Sequence, residues 1–192
     1  MAKNNFSIVS LFSGCGGMDL GFEKEGFDVV WANDNFEAAC KTYEKNFKLK
    51  PYGGDISEVD VASIPDCDIV IGGFPCQDFS MIWKRGGIET NRGNLYKQFA
   101  RVIKAKRPKI FVAENVKGLM SANGGKAIKT IISDFANNGE GYNITAKVYN
   151  FAEYGVPQLR QRVLIVGVRK DLELFFVPPE KTHNEKKNIS IS

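Results

Sequence analysis

Short runs of β-branched and aliphatic residues alternate along this chain with longer stretches whose apolar residues recur at helical spacing. A strand that is followed each time by a helix returns parallel to its predecessor, and its helices cover the sheet. The pattern therefore predicts a doubly wound, mostly parallel α/β domain. Strands are expected at residues 8–12, 29–32, 68–71 and 110–113, and helices at 18–24, 36–46, 95–106 and 126–137. In 95–106, Leu95, Phe99, Val102 and Ile103 form one helical stripe. Asn94 is placed to cap that helix, and Pro108 follows its end. Two later strands, 144–151 and 162–168, are expected to pair near the sheet edge.

With 192 residues, 43% of them hydrophobic, the chain can build one domain around a real core. The expected division is a globular part at 1–177 and a polar tail at 178–192, introduced by Pro178-Pro179. No apolar run approaches the ~20 residues of a membrane span. The start, Met1-Ala2-Lys3-Asn4-Asn5, is too polar for a secretory signal, so a cytoplasmic location is expected. The cysteines, Cys15, Cys40, Cys67 and Cys76, form no Cys-x-x-Cys pair, and His183 is the single histidine. Neither zinc nor a disulfide framework is expected. Cys40 and Cys67 read as small buried hydrophobes. A net charge of +4 permits a polyanionic partner without demanding one. The basic residues Lys104, Lys106, Arg107 and Lys109 are expected to finish a helix rather than grip phosphate.

The segment Leu11-Phe12-Ser13-Gly14-Cys15-Gly16-Gly17-Met18-Asp19-Leu20-Gly21 ends a strand in a glycine-rich turn and opens a helix. Such a turn lets backbone approach a nucleotide closely. Asp19 stands where a dinucleotide fingerprint has its third glycine, setting a carboxylate where pyrophosphate would lie. That argues against a nicotinamide cofactor. Alone, the turn could be no more than a tight turn. Asp34 closes the second strand at the spacing that binds ribose hydroxyls, and it could also cap the helix at 36–46. Asp55, in Gly54-Asp55-Ile56, adds a third acid, with Ile56 available to pack on a flat ring. The set suggests a nucleoside with a non-phosphate tail, which S-adenosylmethionine fits.

The stretch Gly72-Gly73-Phe74-Pro75-Cys76-Gln77-Asp78-Phe79-Ser80 delivers a cysteine onto a loop at the carboxyl end of a strand, where α/β ligands sit. Glu114, in Ala113-Glu114-Asn115-Val116, is expected at the corresponding edge of a neighbouring strand. Gln158-Leu159-Arg160-Gln161-Arg162 puts two arginines on one face of an extended segment. Each piece alone has an ordinary structural explanation: a buried cysteine, a turn, a solvated strand face.

In order, the motifs Leu-Phe-Ser-Gly-x-Gly-Gly, Gly-Asp-Ile, Gly-Phe-Pro-Cys-Gln-x-Phe-Ser, Arg-Gly-x-Leu, Glu-Asn-Val and Gln-x-Arg-x-Arg resemble those of the DNA cytosine-5 methyltransferases, over residues 6–168. The resemblance implies a Rossmann-like domain that binds S-adenosylmethionine, uses no metal and acts on double-stranded DNA. It implies Cys76 as nucleophile at carbon-6 of cytosine and Glu114 as the acid at ring N3, which calls for a raised pKa. Arg162 is then the contact to cytosine O2, and Arg160 helps to hold Glu114. Cofactor contacts are implied for Phe12, Ser13, Gly14, Gly16, Gly17, Asp34, Asp55, Ile56, Pro75 and Leu95. DNA contacts are implied for Gln77, Ser80, Lys84, Arg85 and Arg92, with residues 80–91 as a lid over a flipped-out base.

Two departures stand out. Asp34 replaces the family's usual glutamate beside Asn35, and Met81-Ile82-Trp83 is bulkier than expected in the lid; Trp83 either touches DNA or packs. Rival readings are a tRNA-modifying enzyme of the same chemistry, a catalytically silent binding subunit, and a nicotinamide oxidoreductase. Family members continue past the Arg160–Arg162 segment into a target-recognition domain that this chain does not show. A second polypeptide, or a cut at a domain boundary, is the expectation. It carries a corollary: apolar surface for docking near residues 18–27 and 154–157.

Overall fold

The computed structural model describes residues 6–75 and 95–183. Six strands form one sheet in the order β2-β1-β3-β4-β6-β5. The strands are β1 (Ser7–Leu11), β2 (Asp28–Asn33), β3 (Ile69–Gly72), β4 (Ile110–Val116), β5 (Tyr142–Asn150) and β6 (Gln161–Arg169). The first four in that order run parallel, whereas β6 lies antiparallel between β4 and β5. The doubly wound, mostly parallel expectation is met, and the last two strands do pair at an edge. Strands β1 and β3 are buried on both faces, which is why their sequences read as continuous apolar runs rather than alternating ones.

Helices α3 (Leu95–Lys106) and α4 (Lys126–Ala136) cover one face. Phe99 and Phe135 from these helices meet Phe111 of β4 and Phe74 in an aromatic cluster; the Phe111–Phe135 centroids are 5.0 Å apart. Helix α1 (Gly17–Lys24) lies on the other face, where Met18 and Phe22 pack on Ile8, Val29, Ile69 and Ile71. Helix α2 (Glu37–Asn46) is tied to α1 through Tyr43, whose hydroxyl donates to the Asp19 carboxylate at 2.7 Å.

That contact corrects one expectation. Asp19 does not face a phosphate position; it is fully buried and accepts from Ser10 Oγ and Tyr43 OH, each at 2.7 Å. Burial raises its pKa, and the two hydrogen bonds oppose that rise. The residue is a structural rivet between β1, α1 and α2.

The basic residues after α3 pair with acids: Lys106 with Asp66, Arg107 with Glu140, and Lys109 with Asp68 at 2.7 Å. None of these faces a cleft at the strand ends. Contacts of the chain end run past Val177. Asn143 and Thr145 side chains donate to the Leu174 and Phe176 carbonyls, and the Thr182 and His183 amides donate to the Glu153 carbonyl. Residues up to His183 therefore strap the outer strand β5 and the turn after it. Among the described residues no helix is long and apolar enough to cross a membrane.

Candidate active site

The chain steps from β1 to β2 on one side and then places β3 on the other side of β1. In open α/β sheets, ligands settle outside the carboxyl ends of the strands at this kind of switch point. A cleft of about 220 Å³ opens there, lined by Phe12, Asn33, Asp34, Asn35, Gly54, Asp55, Ile56, Gly73, Pro75 and Leu95.

The cleft is shaped by backbone constraints. Phe12 leaves β1 with φ +54°, a left-handed conformation that a bulky residue adopts only at a cost, and its side chain lines the cleft. Gly14, at φ +56°, donates its amide to Asp34 Oδ2 at 2.8 Å, while Asp34 Oδ1 accepts from the Phe36 amide at 2.8 Å. Asp34 thus ties the glycine turn to the start of α2, whose cap position is Phe36. Each of its carboxylate oxygens keeps a further lone pair for a ligand. Asp55 caps a single 3-10 turn at Ile56–Glu58 by accepting from the Ser57 amide. Gly16, at φ +85°, abuts the Phe47 ring, where a Cβ would collide. The Ser13 hydroxyl oxygen is buried without a hydrogen-bond partner among the described residues.

Of the expected cofactor contacts, Phe12, Asp34, Asp55, Ile56, Pro75 and Leu95 line this cleft. Ser13, Gly14, Gly16 and Gly17 do not line it; they form the turn beside it. Ile56, at 2% exposure, belongs to the core as well as to the cleft lining. Asn33 was missed: its buried amide donates to the Tyr52 and Gly54 carbonyls at 3.0 and 2.8 Å, holding the segment that leads into Asp55. A polar residue closing an apolar strand was the available signal.

The second half of the site lies across Gly73. Strand β4 runs three residues beyond its expected end, so Glu114 and Asn115 sit within the strand, opposite Leu164 and Val163 of β6. The Glu114 carboxylate meets Arg162 Nε at 2.9 Å and Arg160 Nη2 at 3.8 Å. Both arginines face Glu114, with Arg162 the closer partner and Arg160 the more distant one. Glu114 Oε2 lies 3.2 Å from where a Cβ on Gly73 would stand, so any side chain there would crowd the carboxylate. Asn115, another residue the sequence reading gave no role, donates Nδ2 to the Phe74 carbonyl at 2.8 Å and accepts from the Val116 amide. It thereby fixes the backbone two residues before Cys76.

Cys76, Gln77, Ser80, Lys84, Arg85, Arg92, the lid with Trp83, and Asn94 lie outside the described residues. Of the other cysteines, Cys40 is buried as expected, whereas Cys67 is only half-buried against the core. Desolvation still pushes the Cys67 thiol up to about 12, which leaves it a poor nucleophile. Cys15, on the glycine turn, is exposed. The anticipated apolar surface is present in part: Leu20 is 45% exposed and Val156 43%, whereas Met18, Phe22 and Phe27 are half-buried; Leu159, just beyond the second stretch, is 79% exposed.

Comparison with known proteins agrees with this geometry. The family described as C-5 cytosine-specific DNA methylase matches residues 6–191. The type II methyltransferase M.NgoFVII of Neisseria gonorrhoeae is 59% identical over 96% of this chain and 49% of its own length. M.FnuDI of Fusobacterium nucleatum is 43% identical over 96% of this chain and 54% of its own length. A solved structure described as a DNA modification methyltransferase, encoded within an E. coli prophage, superposes with a TM-score of 0.75 at 29% identity. It covers 90% of this chain and 49% of the other. The chain thus spans about half the length of these relatives. With that match over nearly its whole length, this chain belongs to the C-5 cytosine-specific DNA methylase family.

Proposed function

We propose that this chain is the cofactor-binding and catalytic part of a cytoplasmic type II DNA (cytosine-5)-methyltransferase, one partner of a restriction–modification pair. The carrying observation is the position of Glu114. It is held by Arg162 at 2.9 Å, faces Gly73 of the segment that leads into Cys76, and neighbours the cleft at the strand ends.

The cleft suits S-adenosylmethionine. Asp34 and Asp55 offer carboxylate oxygens for ribose hydroxyls, Phe12 and Leu95 offer apolar surface, and the Ser13 hydroxyl is a buried polar group in need of a partner. When bound, the cofactor supplies an electrophilic methyl group.

Carbon-5 of cytosine is too weak a nucleophile to take that methyl group unaided. In our reading the Cys76 thiolate adds to carbon-6, forming an S–C bond and shifting electron density to carbon-5. Glu114 meets the charge that develops at ring N3, and Arg162, which holds Glu114, also reaches cytosine O2. After methylation the carbon-5 proton leaves, the S–C bond breaks and the thiolate is restored. A stacked base cannot reach these groups, so the cytosine is flipped out of the duplex. Gln77, Ser80, Lys84, Arg85 and Arg92 serve DNA contact in this scheme.

The methylating unit further includes protein beyond these residues, from a second polypeptide or from more of the same one, that reads the DNA sequence. The half-length match to the relatives and the exposed Leu20 and Leu159 support this. Transfer of labelled methyl groups from S-adenosylmethionine to DNA, set beside RNA, tests the proposal. Label in carbon-5 of DNA cytosine is expected once the complementary part is supplied; label only in RNA, or none in either, would refute it.

A further inference from the structure

A half-buried cation lies outside the proposed chemistry. Arg101, in the middle of α3, donates Nη2 to the Ile56 carbonyl at 2.6 Å and Nη1 to the Val59 carbonyl at 3.1 Å. Its Nε is buried and has no acceptor among the described residues. A chain that needed only packing here would be served by an aliphatic side chain, without burying part of a guanidinium and leaving one donor unmatched.

The two carbonyls bound by Arg101 bracket the 3-10 turn Ile56–Glu58, whose leading residues Asp55 and Ile56 form one wall of the cleft. Leu95, at the start of the same helix α3, also lines the cleft. At 1.5 Å rise per residue, Arg101 lies about 9 Å along the helix from Leu95. Helix α3 is itself anchored, since Asn138 donates Nδ2 to the Ala100 carbonyl at 2.7 Å. One side chain therefore joins Asp55–Ile56 to the helix that carries Leu95 through a fixed strut. The turn that carries Asp55 is too short to hold its own position, with only single-turn 3-10 hydrogen bonds inside it.

We propose that Arg101 is a positioning residue for the cofactor: by clasping the Ile56 and Val59 carbonyls to α3 it fixes the separation of Asp55–Ile56 from Leu95, and so the fit of the nucleoside. This rests on the reading of the cleft as the S-adenosylmethionine site. A guanidinium is suited to the task because its fork reaches two carbonyls at once, which an ammonium does not.

The test is calorimetric titration of the full chain with S-adenosylhomocysteine, together with hydrogen exchange at the amides of residues 55–60. Arg101→Met is expected to weaken binding tenfold or more and to speed that exchange; Arg101→Lys, keeping one of the two bonds, should fall between it and wild type. Asn138→Ala is the control: it removes an anchor of α3 elsewhere and should lower thermal stability while leaving the cofactor affinity unchanged. Should Arg101→Met not fold, Arg101→Lys against the control carries the same comparison. Wild-type affinity in the Arg101 variants would overturn the proposal. So would equal weakening by Asn138→Ala, which would mean general softening of α3. If wild type itself does not bind, the reading of the cleft fails instead, while slower-than-expected exchange at 55–60 in Arg101→Met would sink the clasp on its own.

Discussion

The two halves of the site are built in opposite ways. The cofactor side, outside β1, β2 and β3, is set by backbone: a left-handed Phe12, a glycine turn pinned by Asp34, and a strand end held by the buried Asn33 amide. The base side, outside β4 and β6, is set by charged side chains; Glu114 and Arg162 are each 22% exposed and Arg160 is 42% exposed. Parallel strands bring loops with free backbone groups to one edge, while the antiparallel β6 lays its side chains directly opposite those of β4. In the proposed reading, the first half is preformed to take a small molecule. The second half holds charges partly in water, where they act weakly until substrate excludes that water.

The largest effect that could break this contrast lies at Cys76. Cys76→Ala should abolish methyl transfer and leave the affinity for S-adenosylhomocysteine within about twofold of wild type. DNA carrying 5-fluorocytosine should trap wild type covalently, because fluorine cannot leave as a proton. A trap formed at Cys15 would contradict the assignment. Next comes Gly72, where a Cβ would run into the Leu11 carbonyl and touch Phe99 at 3.2 Å. Gly72→Ala should cost about 3 kcal/mol of folding stability, as overpacking against backbone does, read by urea unfolding. A neutral result would mean that the switch point is looser than the geometry indicates.

The smallest effect sharpens the cofactor side. Burial raises the pKa of Asp19, despite its bonds to Tyr43 and Ser10. The protonated form is therefore favoured in the folded state. Its contribution is fully present below the unfolded value of about 3.9 and is lost as pH rises through the folded value. Asp68 runs the other way: its bond to Lys109 lowers its pKa, so its contribution is present at neutral pH and lost in acid. Comparing wild type with Asp19→Asn cancels Asp68. Unfolding midpoints across pH 4 to 7 should show wild type losing ground to the variant as pH rises. A flat difference would place Asp19 outside any linkage to folding.

Much of this was legible in the sequence, and the failures share a cause. The strands β1 and β3 followed from continuous apolar runs and the helix α3 from its period, because central parallel strands and amphipathic helices advertise burial. Six of the residues expected to touch the cofactor line the cleft, and Phe12, Asp34 and Pro75 do so because they follow strand ends, where chain order predicts position. Asp19 was misplaced because sequence spacing says which loop a residue is on, not which way it turns; Ser10 and Tyr43 decide that. The end of β4 was expected at Ala113, with Glu114 at the strand's edge. Pairing with β6 and the bond from Asn115 to Phe74 carry the strand on to Val116. That Arg162 lies nearer Glu114 than Arg160 does depends on side-chain reach, which no spacing encodes.

The division between a cofactor half and a chemical half is tested most directly by calorimetry with S-adenosylhomocysteine on Asp34→Ala and Glu114→Gln, paired with the methylation rate of each in the complete enzyme. Asp34→Ala removes the link to Gly14 and the cleft carboxylate. It should weaken cofactor binding by about 1–3 kcal/mol. Glu114→Gln should leave that affinity unchanged and lower the rate by about 100-fold, the scale of a lost acid–base contribution. Equal losses of affinity in the two variants, or full activity in Glu114→Gln, would contradict the account.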